Sequence, residues 1–442
     1  MRAAPLTGSP RPQLLYPPHD EATAHYNVVL IGALFLALVG NIPPSGGFST
    51  DSEGSTAVVR AAGLGAGMLL LLFDLIRNGS EGARRTLFFL SPFFAFLAFC
   101  MLSAAWSLDS KATIIRSAES MVTFAFCGLW THAAIRASGS DRQLCSWIAV
   151  AVVGVALYGL LLNTALFGNP IRMVMSNEDS GRVRLVFGGL HPLAVGDIVS
   201  IGIVTAIMSS FRLWQKLAAL MLFMPLLLLT DATGARLLVA VLLVLYGVVQ
   251  ASRSIGFWRV MMLMALFGIV ACIVLAILFN LEHPIAQRIS GDGRIWSLTG
   301  RTLLWEVIWQ SGLANTWLGT GFDAARGAIL HVFGIAYQVH NQYLSILVEL
   351  GYVGMLLFIP MFLIWLAPVV MSRSLIAWSF AIYIAAINMN NASMLTKNWL
   401  IFATVFCYIV SLEERLERRA ADRPQRAFDR APPSGMPALA QR

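Results

Sequence analysis

The stretch "GIAYQVHNQYLSILVELGYVG", residues 334–354, sets a polar cluster of His340, Asn341, Gln342 and Tyr343 directly against an apolar run that continues to Val370. An apolar segment of roughly 17 to 25 residues is what a membrane-crossing helix requires. The composition extends that reading to the rest of the chain. Of 442 residues, 57% are hydrophobic and 12% charged, about half the charged fraction of an average soluble domain. A soluble fold must cover itself with polar groups and could not hide this much apolar surface. The sequence therefore predicts an all-α, polytopic membrane protein.

Working outward from this segment, apolar runs of sufficient length fall at about 27–43, 60–76, 87–105, 114–135, 145–165, 193–210, 215–230, 235–251, 259–280, 342–369, 375–391 and 397–412, which predicts about twelve transmembrane helices. An even count puts both tails on one side. With the tails inside, about 19 of the 31 Lys and Arg lie in short cytoplasmic segments, as the positive-inside rule requires. The net charge of +8 is thus topology information, and with no basic run interleaved with aromatics it gives no reason to expect nucleic acid. Residues 1–26, rich in Pro and without the apolar core of a signal peptide, read as a disordered cytoplasmic tail. Residues 27–412 form the membrane domain. Residues 413–442 read as a basic cytoplasmic tail, a short helical extension followed by disorder. The five cysteines show no paired short spacing and suggest neither zinc nor a disulfide framework.

Two outer loops, 166–192 and 281–341, are long enough to hold structure. The second contains "SLTGRTLLWEVIWQSGLANTWLGTGF", residues 297–322. Thr299 or Thr302 can cap a helix start, and Leu304, Trp305, Ile308 and Trp309 follow at helical spacing, so an amphipathic helix is expected on the membrane surface or over the bundle. Arg301 falls near its first turn, where a cation is poorly placed for the helix dipole but an anion would be held by both guanidinium and free N–H groups. A snorkelling arginine among lipid head groups is the plainer alternative. In "SGRVRLVFGGLHPLAVGD", residues 180–197, Arg182 and Arg184 alternate with apolar residues, so an extended segment would project both to one side. His191-Pro192 begins the next helix, with His191 either functional or a polar helix-start residue. In "LTDATGARLLVA", residues 229–240, Arg236 must snorkel, pair with Asp231 or meet an anion in a polar cavity. Arg116 and Glu119 share one helix face, which favours a salt bridge. His340 has the chemistry of a base near neutral pH, though a lone histidine at a membrane edge is commonly interfacial. Glu349, well into the same helix, is expected to hold polar partners in the bundle.

Under the topology set by the other charges, Arg182, Arg184, His191, Arg236, Arg301 and His340 all fall on the outer face. One extracytoplasmic cavity with several cations and a base would suit an anionic substrate anchored in the membrane, such as a lipid-linked pyrophosphate. No Asp-x-Asp pair or carboxylate cluster suggests a magnesium site, so guanidinium groups would have to neutralise the leaving group. Neither metal nor cofactor is expected.

Several segments resemble the O-antigen ligase and polysaccharide polymerase superfamily: "LSAAWSLDSKATIIRS" at 102–117, "RLVFGGLHPLA" at 184–194, "LTDATGAR" at 229–236, "TGRTLLWEVIW" at 299–309 with "LGTGF" at 318–322, and "HNQYLSILVELGYVG" at 340–354. Individually loose, these motifs match in order and spacing over most of the membrane region. The resemblance implies a bacterial inner-membrane glycosyltransferase, with its site facing the periplasm, that moves a glycan from undecaprenyl pyrophosphate with inversion and without metal. The acceptor would be lipid A core for a ligase, or another lipid-linked glycan for an exopolysaccharide or O-antigen polymerase, and glycan assembly proteins would be partners. By position it implies that Arg184, Arg236 and Arg301, with Arg182 beside them, engage the donor pyrophosphate. His340 would orient or deprotonate the acceptor, supported by Asn341 and Tyr343. Leu193 stands where the family often has Asn, which weakens a role for His191, and Ala235 stands where a Ser commonly precedes the arginine. A transporter or flippase of an anionic lipid-linked glycan is the alternative, in which the same arginines bind and release without chemistry.

Overall fold

The computed structural model describes residues 21–40, 42, 53–78, 81–138, 140–175, 183–188, 190, 192–230, parts of 232–247, 301–334, 339, 341–372, 374–390, 395 and 398–429. The all-α class holds over these residues. The helices are α1 (Glu21–Val39), α2 (Glu53–Asn78), α3 (Glu81–Phe89), α4 (Ser91–Leu102), α5 (Ser110–Ser138), α6 (Asp141–Phe167), α7 (Pro192–Met208) and α8 (Leu213–Leu229), followed by α9 (Arg301–Gln310), α10 (Ala325–Phe333), α11 (Gln342–Met371), α12 (Leu375–Asn390) and α13 (Asn398–Asp429). One antiparallel hairpin, β1 (Met173–Met175) with β2 (Val183–Leu185), interrupts them and pairs Val174 with Arg184.

Among the described residues, α6 and α11 are each long and apolar enough to cross a membrane, and five shorter apolar helices accompany them. The span expected at 259–280 lies outside the described residues. Helix α6 shows how local sequence sets such an element. The Ser140 hydroxyl accepts from the Gln143 N–H at its start, and Gly168, in the left-handed conformation with φ 69°, closes its end by donating to Thr164. Helix α13 continues 17 residues past the expected membrane boundary at Leu412, so the expected short helical extension runs to Asp429.

Two expected spans are not straight. The run at 87–105 is broken between α3 and α4, which meet at 56°. Pro92 lies in the first turn of α4, where it has no N–H to donate and its ring would strike the carbonyl four residues back in an unbroken helix. The run at 342–369 is broken at Gly351, whose φ of 65° and ψ of −161° are open essentially to glycine alone. The break folds the helix back on itself. The Tyr343 and Phe358 rings, which an unbroken helix would hold about 22 Å apart along its axis, meet edge to face at 6.2 Å. Residues 342–350 therefore form a separate arm, and residues 352–371 remain as the stretch able to span the bilayer.

Most of the apolar core lies among α1, α5, α6, α7, α12, α13 and the second half of α11. The buried Trp130 in α5 ties it together, donating its indole N–H to the Leu30 carbonyl at 2.7 Å and lying edge to face on Phe402. A second, smaller core of Ile308, Ala314, Ala325, Ile329, Val339, Leu344 and Val348 joins α9, α10 and the arm into a cap. Of the apolar face expected on the helix near residue 301, Leu304, Trp305 and Ile308 pack inside this cap, while Trp309 is 52% exposed. Ile346 and Leu350 of the arm belong to the main core, so the arm is shared between cap and bundle.

Candidate active site

The cap is fastened where α11 breaks. Breaking a helix frees backbone groups, and each unsatisfied one in an apolar medium costs several kcal/mol. Here the loop 316–321 takes them up. Thr320 and Gly321 donate N–H to the Val348 and Glu349 carbonyls at 3.0 and 2.8 Å, and Tyr352 and Val353 donate to the Thr316 and Trp317 carbonyls at 3.0 and 3.1 Å. The crossing is close enough to need two glycines, since a Cβ at Gly319 would collide with the Glu349 carbonyl and one at Gly351 with that of Trp317. The turn after α4 and the start of α5 close the third side: Thr113 of α5 donates to the Phe322 carbonyl at 2.8 Å, while before α5 Ser103 accepts from the Phe322 N–H at 3.0 Å and Trp106 donates to the Leu318 carbonyl at 2.8 Å. Three of the motifs noted in sequence, at 102–117, 318–322 and 340–354, are thereby one joint.

Glu349 sits in that joint, 8% exposed, with its backbone carbonyl accepting from Gly321 and its side chain beside Asp323 and Ala325. No side chain of Ala324 caps α10. Asn341 is the N-cap of the arm, accepting from the N–H groups of Tyr343 and Leu344 at 3.0 and 3.1 Å. Tyr343 is half-buried and turns toward Phe358 and Phe362.

His340 lies outside the described residues, but both its neighbours are held. Asn341 caps the arm on one side. On the other, Trp305 of α9 donates its indole N–H to the Val339 carbonyl at 2.7 Å. Arg301, of which the backbone alone is described, is the first residue of α9 and lies one turn before Trp305, on the same face. Arg301 stands in the first turn as expected, but the helix begins at Arg301 itself, which puts Thr302 inside it rather than at its cap; through Trp305 the cap ties this helix to the chain flanking His340. Trp305 was legible in sequence only as one apolar position among four.

A second cluster forms where α7 begins and α8 ends. Gly196 of α7 packs against Thr230, Ala232 and Ala235, so the turn before Arg236 lies on the first turns of α7. Strand β2 packs against both α7 and α8. The extended geometry expected at Arg184 is confirmed: it sits in β2, 7% exposed and engaged within the fold. Arg236 is half-buried and donates from Nη2 to the Leu228 carbonyl at 2.5 Å, closing a free carbonyl in the last turn of α8 as cations at helix C-termini do. Arg182, His191 and Asp231 lie outside the described residues, while α7 starts at Pro192 as expected. The loop after β2 hangs on Asn163 of α6, whose amide donates to the carbonyls of Pro170 and Val186 at 3.1 and 2.7 Å and accepts from the Gly188 N–H at 2.8 Å. Below it, Asp197 of α7 is buried, and the Tyr383 hydroxyl donates to its backbone carbonyl at 3.0 Å. Neither Asn163 nor Asp197 was singled out from sequence, although an ionisable residue inside an apolar run is itself a signal.

Fold and site together define an all-α membrane protein with two polar clusters, one of arginines beside α7 and α8 and one in a backbone-locked cap. Residues 216–359 match the family model described as O-antigen ligase, which bears out the resemblance to the O-antigen ligase and polymerase superfamily. The match covers about a third of the chain, from the start of α8 through the cap to beyond the break in α11, and includes Arg236, Arg301, His340, Asn341, Tyr343 and Glu349. No curated protein matches the chain.

Proposed function

We propose that this protein is a glycosyltransferase that moves a glycan from undecaprenyl pyrophosphate to an acceptor hydroxyl at the periplasmic face of the bacterial inner membrane, as a ligase or a polymerase, without a metal ion. The observation that carries the proposal is the Trp305 to Val339 hydrogen bond of 2.7 Å, which ties the helix that starts with Arg301 to the residue before His340 within the matched family segment. In the reaction, neutral His340 takes the acceptor proton as the hydroxyl oxygen forms a bond to the anomeric carbon. The bond from that carbon to the pyrophosphate oxygen breaks on the opposite face, inverting the centre. The departing pyrophosphate carries the electron pair, and Arg301, Arg236 and Arg184, with Arg182 beside them, stabilise its charge. About twelve spans with both termini cytoplasmic would place this site outside.

Purified protein in nanodiscs, supplied with undecaprenyl-pyrophosphate-linked glycan and candidate acceptors, tests the reading through acceptor-dependent release of undecaprenyl pyrophosphate. His340→Ala and Arg301→Ala should each lower turnover by about a hundredfold or more, the scale of losing a proton-transfer group or a charge-stabilising donor. Arg301→Lys should recover only part of it, because an ammonium cannot reproduce a guanidinium fork. Donor crossing the bilayer intact, with no release, would replace transfer by transport. Product on lipid A core or on longer lipid-linked chains distinguishes ligase from polymerase.

A further inference from the structure

The Arg116 and Glu119 pair expected on one face of α5 is present, with Nη1 to Oε2 at 3.0 Å, but the guanidinium does not stop there. Its Nε also meets Oδ2 of Asp323 in the cap at 3.2 Å. Asp323 is the only non-glycine with positive φ among the described residues, at 59°. A side chain is held in that left-handed conformation at a cost, and it persists where the surroundings over-determine it. Those surroundings are Arg116 on one side and, on the other, the turn in which Ala324 donates to Gly321 and Gly321 donates to the Glu349 carbonyl. One turn of the cap thus touches both the arm and α5, immediately before α10 begins.

We infer that Arg116 and Asp323 are positioning residues, a charged latch that fixes the cap on the bundle and so sets where the start of α9 and the His340 segment stand relative to the substrate. This rests on the transfer reading above. The latch is suited to orientation more than to stability. The two side chains are 21% and 36% exposed, where an ion pair contributes little to folding, and the backbone crossing at Gly319 and Gly351 already holds the chain together. What the pair adds is direction. A planar guanidinium shared between two carboxylates sets the angle of approach of Asp323, whereas a lysine ammonium is a point charge that fixes no such angle.

Asp323→Asn is the clean test, since asparagine tolerates the left-handed backbone as aspartate does while the charge is lost. Arg116→Lys keeps the charge and loses the fork. Both are compared with the intact chain in nanodiscs by transfer kinetics and by hydrogen exchange of the backbone amides. The expected result is a fall in kcat of roughly tenfold or more, the scale of a small misplacement of catalytic groups, with the donor KM changed by less than about twofold. Exchange at Thr320, Gly321 and Tyr352 should rise together in both variants, while amides in α5 and α6 stay protected. Unchanged kcat, or exchange that rises equally throughout the bundle, overturns the proposal. An intact chain that transfers nothing defeats the functional reading instead, and the exchange pattern alone then decides whether the latch fastens the cap.

Discussion

The two polar clusters are held in opposite ways. Around α7 and α8 side chains do the anchoring: Asn163 carries the loop after β2 with three hydrogen bonds, and Arg236 closes the end of α8. In the cap the backbone does the anchoring, through four N–H to carbonyl bonds across the break in α11. A side-chain anchor can relax when changed, because its neighbours move or water enters. A backbone crossing fitted around two glycines has no such freedom.

That contrast is sharpest at Gly351. Gly351→Ala forces a Cβ against the Trp317 carbonyl and a conformation that alanine avoids, so a loss of about 3 kcal/mol or more is expected. It should appear as a steep fall in thermal stability and in recovery of monodisperse protein, and a well-folded variant would show that the crossing is not rigid. Asn163→Leu, which keeps most of the volume but leaves the Gly188 N–H and two carbonyls without their partner, should cost about 1–3 kcal/mol. If the loop positions Arg184 for the donor, KM should rise more than kcat falls. The smallest effect is expected at Asn341. Replacing this N-cap with alanine should cost about 1 kcal/mol, and Asn341→Ser should restore most of it. A serine variant that folds well but loses transfer would give Asn341 a chemical role beyond the cap, and would erase part of the distinction between the two clusters.

Much of the local structure was legible. Arg301 at a helix start, Pro192 opening α7, an extended Arg184 and the pairing of Arg116 with Glu119 all follow from spacing and residue type. Asn341 carried a cap signal too, an Asn directly before an apolar run, although its neighbours made it look like a member of the site. The fold-back of α11 was not legible. Hydropathy counts side chains, and "LVELGYVGMLLF" reads as one continuous apolar run because the feature that breaks it is a backbone angle at Gly351. The bend at Pro92 was hidden for a similar reason, since proline in an apolar run lowers the hydropathy little while removing an N–H.

By itself the sequence determined that this is a helical membrane protein, that its cations gather near a few loops, and that those loops carry the motifs of one family, because composition and local spacing are properties of the chain alone. Only the tertiary structure decided that Trp305 reaches Val339, that the loop 316–321 crosses the break in α11 and that Asp323 pairs with α5. Each of these contacts closes over a sequence separation of tens to hundreds of residues. No periodicity in the sequence records where segments so far apart will meet.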